Sequence, residues 1–174
     1  MRPGRYGILI AVCLSLLAAD ILLKAYSFYC LPPMSFYPSI YPYGGIGVFQ
    51  DLLGIDFCIT YVQNKGAAWG ILSSYQELLL YVRIALVVIM AVYLFVCKMP
   101  FFKRLSISLI VTGAVGNVID FFAYGHVVDM FYFKFWGYSY PVFNIADACI
   151  CLGVGLMFIQ ALIEKKNVTR VSEA

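Results

Sequence analysis

Apolar residues gather in four long runs, and the segments between them mix prolines, glycines, aromatics and charges. The runs cover about 6–28, 75–97, 105–122 and 142–163. Each can cross a hydrocarbon core, which takes roughly 20 residues of helix. The pattern predicts four transmembrane helices in a single membrane domain over 1–174. Between them, 31–47 carries Pro32, Pro33, Pro38, Pro42, Gly44 and Gly45 among several tyrosines, which predicts loop at a membrane interface. Phe57–Val62 is dense in β-branched and aromatic residues and predicts a strand. Phe131–Trp136 predicts an aromatic strand or strand pair, after which Pro141 marks the entry to the last helix.

Composition agrees: 63% of the residues are apolar and 12% charged, outside the range of soluble domains. The net charge of +3 is modest, and no nucleic-acid partner is expected. The placement of charge says more. Of twelve Lys and Arg, eight lie near the chain ends or between the second and third runs: Arg2, Arg5, Lys98, Lys103, Arg104, Lys165, Lys166 and Arg170. The positive-inside rule then puts both termini in the cytoplasm and turns 29–74 and 123–141 outward. Arg2 and Arg5 before an apolar run resemble the start of a cleavable signal, with Ala18-Ala19 as the cleavage site. The run continues past Asp20 to about Phe28, so retention as a helix is expected. Six cysteines include Cys30 and Cys58, both expected outside, where they could pair; their spacing does not require it.

Polar residues inside these runs are costly in lipid and therefore informative. Asp20 and Lys24, four apart, share a face of the first helix. Asp20 falls about 20 Å up a core of about 30 Å, too deep for its short side chain to reach water. Asn117 and Asp120 share a face late in the third helix, where Gly113 and Gly116 permit close helix contact. Asp129 follows Gly125, and Asn144 and Asp147 come early in the fourth helix. With the expected topology all of these arrive at one level near the outer surface. The run Gln63–Gly70 lies above, its small residues admitting either a plain turn or a close-approaching substrate. Glu77 and Arg83 enter the second helix from the same side.

A shared polar pocket follows, and its chemistry is constrained. Serine catalysis needs a base, and the only histidine, His126, has no serine motif to serve. No spacing such as HExxH supports a metal, and neither metal nor cofactor is expected. Two aspartates across a water are the simplest machine: they share a proton, one activating water while the other donates to a carbonyl oxygen. Spacing alone does not decide whether Asp120 or Asp129 is the second member. A proton-coupled transporter is the rival, but its relay should continue toward the cytoplasm, and the inner halves of the spans hold almost no ionisable residues. A non-catalytic scaffold would tolerate loss of the aspartates.

The motifs Asp20-x-x-x-Lys24, Asn64-x-Gly66-Ala67-Ala68, Gly116-Asn117-x-x-Asp120, Gly125-x-Val127-Val128-Asp129 and Phe143-Asn144-x-Ala146-Asp147 occur in this order. In this the chain resembles the lipoprotein signal peptidases, the type II membrane aspartyl proteases. The resemblance implies a four-helix membrane core with a small extracytoplasmic β-rich part. It implies removal of signal peptides from diacylglyceryl-modified prolipoproteins, cutting before the lipidated cysteine. By motif, Asp129 and Asp147 are the catalytic pair, with Asp20, Lys24, Asn64, Gly66, Asn117, Asp120, Asn144 and Ala146 shaping the site. The implied setting is the bacterial cytoplasmic (inner) membrane, with the site at its outer face and membrane lipids as neighbours. One chain carries every motif, so a monomer is expected. Two positions depart from the family: Trp69 replaces a usual Phe, and Phe121 replaces a usual Arg, removing a cation near Asp120 that Lys24 or Arg83 would have to supply.

Overall fold

The computed structural model describes residues 3–35, 40–65 and 76–172. Its elements run α1 (Pro3–Cys30), β1 (Ile46–Leu52), β2 (Ile55–Asn64), α2 (Gln76–Val96), α3 (Phe101–Tyr124), β3 (Val127–Phe135), β4 (Tyr138–Ser139) and α4 (Ile145–Ser172). Each helix contains a stretch long and apolar enough to span: Tyr6–Cys30, Glu77–Val96, Phe101–Tyr124 and Ile145–Lys165. Large apolar side chains such as Leu22, Phe95 and Phe158 point outward, while Asp20, Lys24, Ser106, Asn117 and Asp120 are buried. That inversion suits lipid, where apolar burial between helices brings no gain and association depends on close packing and polar contacts.

Helix α3 is the hub, packing on α1, α2 and α4. Its seam with α4 is made by small residues: a Cβ on Gly113 would collide with the Ala146 carbonyl, and one on Gly116 would come within 2.7 Å of Asp20 Oδ2. These contacts join late α1 and late α3 to early α4. The start of α1 and the end of α4 therefore lie on the same side. Helices α1 and α3 run a few residues beyond their apolar runs, because apolarity marks the span and not the helix, while α2 matches its run to within a residue. Helix α4, expected over 142–163, continues to Ser172 and begins only at Ile145. There Phe143 is extended and bridges to Phe131, and Asn144 caps the helix.

A four-stranded antiparallel sheet, in the order β1-β2-β3-β4, covers one end of the bundle. Both hairpin turns place two residues at positive φ, as two-residue type I′ loops require: Leu53 and Gly54 between β1 and β2, Trp136 and Gly137 between β3 and β4. Strand β2 extends the expected Phe57–Val62 in both directions. Strand β1 was not expected, since 31–47 reads as loop and Ile46–Leu52 is nearly all exposed. Pairing with β2, from Ile46↔Ile59 to Leu52↔Ile55, defines it. All six cysteines are free; Cys58 is buried in a cluster with Tyr43 and Tyr132, away from the exposed Cys30.

Candidate active site

Three chain segments meet where the sheet joins the bundle, and each is held by local chemistry. Helix α3 ends at Gly125, whose φ of 75° is the left-handed C-cap conformation, with its N–H on the Phe121 carbonyl at 2.9 Å. The chain then turns into β3. Asp120, in the last turn of α3, accepts the Val128 N–H at 3.1 Å and ties the strand back to the helix. Asp129 follows directly, only 2% exposed.

The start of α4 is built by a reciprocal cap. Asn144 Oδ1 accepts the Asp147 N–H at 2.8 Å, and Asp147 Oδ2 accepts the Asn144 N–H at 3.4 Å, the geometry of a capping box. The intervening free donor, the Ala146 N–H, goes to Asp20 Oδ1 of α1 at 2.9 Å. Two carboxylates thus sit at the positive end of one helix dipole. Phe143 fastens this helix start to β3: its carbonyl accepts the Phe131 N–H at 2.8 Å and its N–H donates to Phe131 at 3.2 Å. This stitch brings Asp147 beside Asp129, which are eighteen positions apart in sequence.

Lys24 is the charge centre beneath the pair. Its ammonium, fully buried, lies 2.7 Å from Asp20 Oδ2, 2.7 Å from Asp120 Oδ2 and 3.0 Å from Asn117 Oδ1. Asn117 relays that contact upward by donating Nδ2 to Asp147 Oδ1 at 2.9 Å. Among the described residues no cation pairs directly with Asp129; its carboxylate accepts Asn144 Nδ2 at 2.7 Å and Asn64 Nδ2 at 2.9 Å. Burial, and after it the neighbouring Asp147 carboxylate, push the Asp129 carboxyl up to about 7 against the opposing amide hydrogen bonds. A proton is therefore available there near neutral pH.

Asp20, Lys24, Asn64, Asn117, Asp120, Asp129, Asn144, Ala146 and Asp147 all enter this one network. Gly66, Ala67, Ala68 and Trp69 lie outside the described residues. The cation beside Asp120 is Lys24. Phe121 instead lines a small recess with Asn64, Lys65, Arg83 and His126. Sequence reasoning did not single out Tyr61, whose hydroxyl accepts Gln63 Nε2 at 2.9 Å and meets His126 Nε2 at 3.1 Å, bracing the turn before β3. Burial, with a lesser contribution from Lys65, lowers the His126 pKa and keeps the ring neutral. Main-chain donors at Val128 and Ala146 were also invisible, since any residue supplies them.

The same arrangement of chain occurs elsewhere. The family model described as Signal peptidase (SPase) II matches residues 12–163. A lipoprotein signal peptidase of Clostridium tetani is 40% identical over 118 residues, covering 66% of this chain and 76% of that protein. One of Bacillus pumilus is 44% identical over 114 residues, covering 64% and 72%. A bacterial membrane enzyme solved by the in meso method at 2.3 Å superposes with a TM-score of 0.76 at 29% identity, covering 92% of this chain and 91% of that one. With the match running from α1 through α4, the chain belongs to the signal peptidase II family of membrane proteases.

Proposed function

We propose that Asp129 and Asp147 are the catalytic dyad of an endopeptidase that removes signal peptides from diacylglyceryl-modified prolipoproteins, cutting before the lipidated cysteine. The observation that carries the reading is a buried Asp129 carboxyl that keeps its proton to about pH 7 beside a second, partly exposed carboxylate. Asp147 is placed for the base role by Asn117 Nδ2 and the Asn144 N–H, which donate to its two carboxylate oxygens at 2.9 and 3.4 Å at the start of α4. It takes a proton from water as the water oxygen attacks the scissile carbonyl carbon. Asp129 gives its proton to the carbonyl oxygen. The resulting diol collapses as Asp147 returns the proton to the leaving nitrogen and Asp129 recovers its own from a hydroxyl. The C–N bond breaks, and both carboxyls regain their starting states.

Asp20, Lys24 and Asp120 act as a buried ionic frame, and Asn64, Asn117, Asn144 and Ala146 orient the reacting carboxyls. Gly66 is assigned to substrate approach by its motif. The lysines and arginines near the termini and the α2–α3 connection support a cytoplasmic location for both termini. The dyad and the sheet then face the outer side of a bacterial inner membrane, where a lipidated substrate reaches the pocket laterally. A monomer carries the whole constellation. The test is a gel-shift assay with lipidated prolipoprotein: purified Asp129→Asn and Asp147→Asn proteins should be inserted, folded and inactive. Processing by either one would overturn the assignment.

A further inference from the structure

At the opposite end of the bundle from the dyad, α1 and α2 both rest on α3 but do not pack closely on each other. A groove of about 570 Å³ lies between them, within the roughly 300–1,000 Å³ typical of small-molecule sites. Leu9 and Cys13 form one wall, Ala91 and Leu94 the other, and Ser108 and Val111 contribute from α3. The Thr112 hydroxyl is turned onto the Ser108 carbonyl at 2.8 Å, so it does not present its proton to the groove. From Arg104 at the mouth to Thr112 at the far end the groove rises about 12 Å, and Asp120 stands about 12 Å higher on the same helix. The groove is separate from the catalytic layer and occupies one half of the membrane.

Arg104 lines the mouth of the groove. Its Nη1 donates to the Leu94 carbonyl at 2.7 Å and its Nη2 to the Cys97 carbonyl at 3.3 Å, closing the free end of α2. The guanidinium lies 5.1 Å from the Tyr6 ring centroid. Its third donor nitrogen, Nε–H, is buried and has no hydrogen-bond partner among the described residues. A buried cationic donor without an acceptor is costly, and a water or a ligand oxygen would satisfy it. Lys103, over the Tyr93 ring, and exposed Lys98 make the same end basic.

We propose that the groove binds an anionic phospholipid, one acyl chain lying between α1 and α2 and a phosphate or ester oxygen accepting from Arg104. Charge selects this occupant over a signal peptide, whose own positive n-region would meet Arg104, Lys103 and Lys98. Assignment to the cytoplasmic leaflet rests on the orientation proposed above; the binding itself does not.

The test is native mass spectrometry of the full chain released from detergent after exchange into dioleoyl phosphatidylglycerol or dioleoyl phosphatidylcholine. Wild type should retain one phosphatidylglycerol with a preference on the order of tenfold over phosphatidylcholine. Arg104→Gln should lose most of that preference. Cys13→Phe and, independently, Ala91→Phe fill the groove from opposite walls and should lose the lipid while still processing prolipoprotein. Equal retention by wild type and both filled variants, or no headgroup preference in wild type, would overturn the proposal. So would loss of processing in both filled variants with cross-linking of the signal peptide at position 13, which would make the substrate the occupant. Inactive dyad variants that still hold the lipid would leave this site standing while the catalytic assignment is judged separately.

Discussion

Four aspartates share one buried layer, and they differ in what holds them. Asp20 and Asp120 each touch the Lys24 ammonium at 2.7 Å. Asp129 and Asp147 are held instead by side-chain amides and a main-chain N–H. Asp20 and Asp120 thus share one buried cation in a direct ionic contact. Asp129 faces neutral donors and a second carboxylate, and burial together with that carboxylate raises its pKa to about 7. The first pair forms an ionic frame, and the second is the pair proposed above to exchange protons during turnover.

The largest effect should come from the second pair. Asp129→Asn or Asp147→Asn should lower the rate of prolipoprotein processing on the order of 10⁴-fold or more, with thermal unfolding in detergent close to the parent. If either variant instead unfolds readily and keeps its turnover, the division between the pairs fails. Next comes the frame. Lys24→Met strands Asp20 and Asp120 in the core and should cost about 3–5 kcal/mol of stability. Thermal inactivation curves would show it, and adding Asp20→Asn and Asp120→Asn should recover part of the loss.

Gly113→Ala probes the seam that positions Asp147 from behind. The added methyl meets the Ala146 carbonyl, so about 1–3 kcal/mol of destabilisation is expected, with a fall in kcat as the start of α4 shifts. The pH dependence sharpens the proton argument. In the proposed mechanism Asp129 must keep its proton to act as the acid, so the processing rate should fall roughly tenfold per unit above about pH 7. Its folded-state value also lies above the ordinary 3.8, so the fold binds this proton more tightly than the unfolded chain. The stability it contributes is complete below about pH 4 and is lost as pH rises to about 7; Asp129→Asn should remove that slope. The smallest effect is at Cys30→Ser, exposed and unbridged, with a change within about 0.5 kcal/mol.

Much of the bundle was legible because a lipid-spanning helix must be apolar over a set length, and each of the four runs satisfied that demand. Asp20, Lys24, Asn117 and Asp120 stood out for the complementary reason, since nothing in lipid tolerates them without partners. Strand β1 was hidden because its exposed residues carry no alternation and its order comes from the β2 edge. The true start of α4 was hidden because Pro141 and Val142 look ready to begin a helix, whereas the bridge of Phe143 to Phe131 delays it. Tyr61 was hidden because a tyrosine in a strand is ordinary until its hydroxyl finds His126.

By itself the sequence determined the class of the molecule, the number of helices apolar enough to span and which carboxylates and amides would gather at one level of the bundle. Those follow from local composition and from the fixed rise of a helix, so they need no knowledge of neighbours. It could not separate Asp120 from Asp129 by spacing, because each lies within reach of Asp147 in a linear reading. Tertiary structure gives the two different surroundings: Lys24, from another helix, binds Asp120 ionically, while β3 carries Asp129 past the Gly125 cap to the amides of Asn64 and Asn144, which supports the proposed assignment. A carboxyl's role depends on which charge lies within about 4 Å, and only the folded chain places those charges.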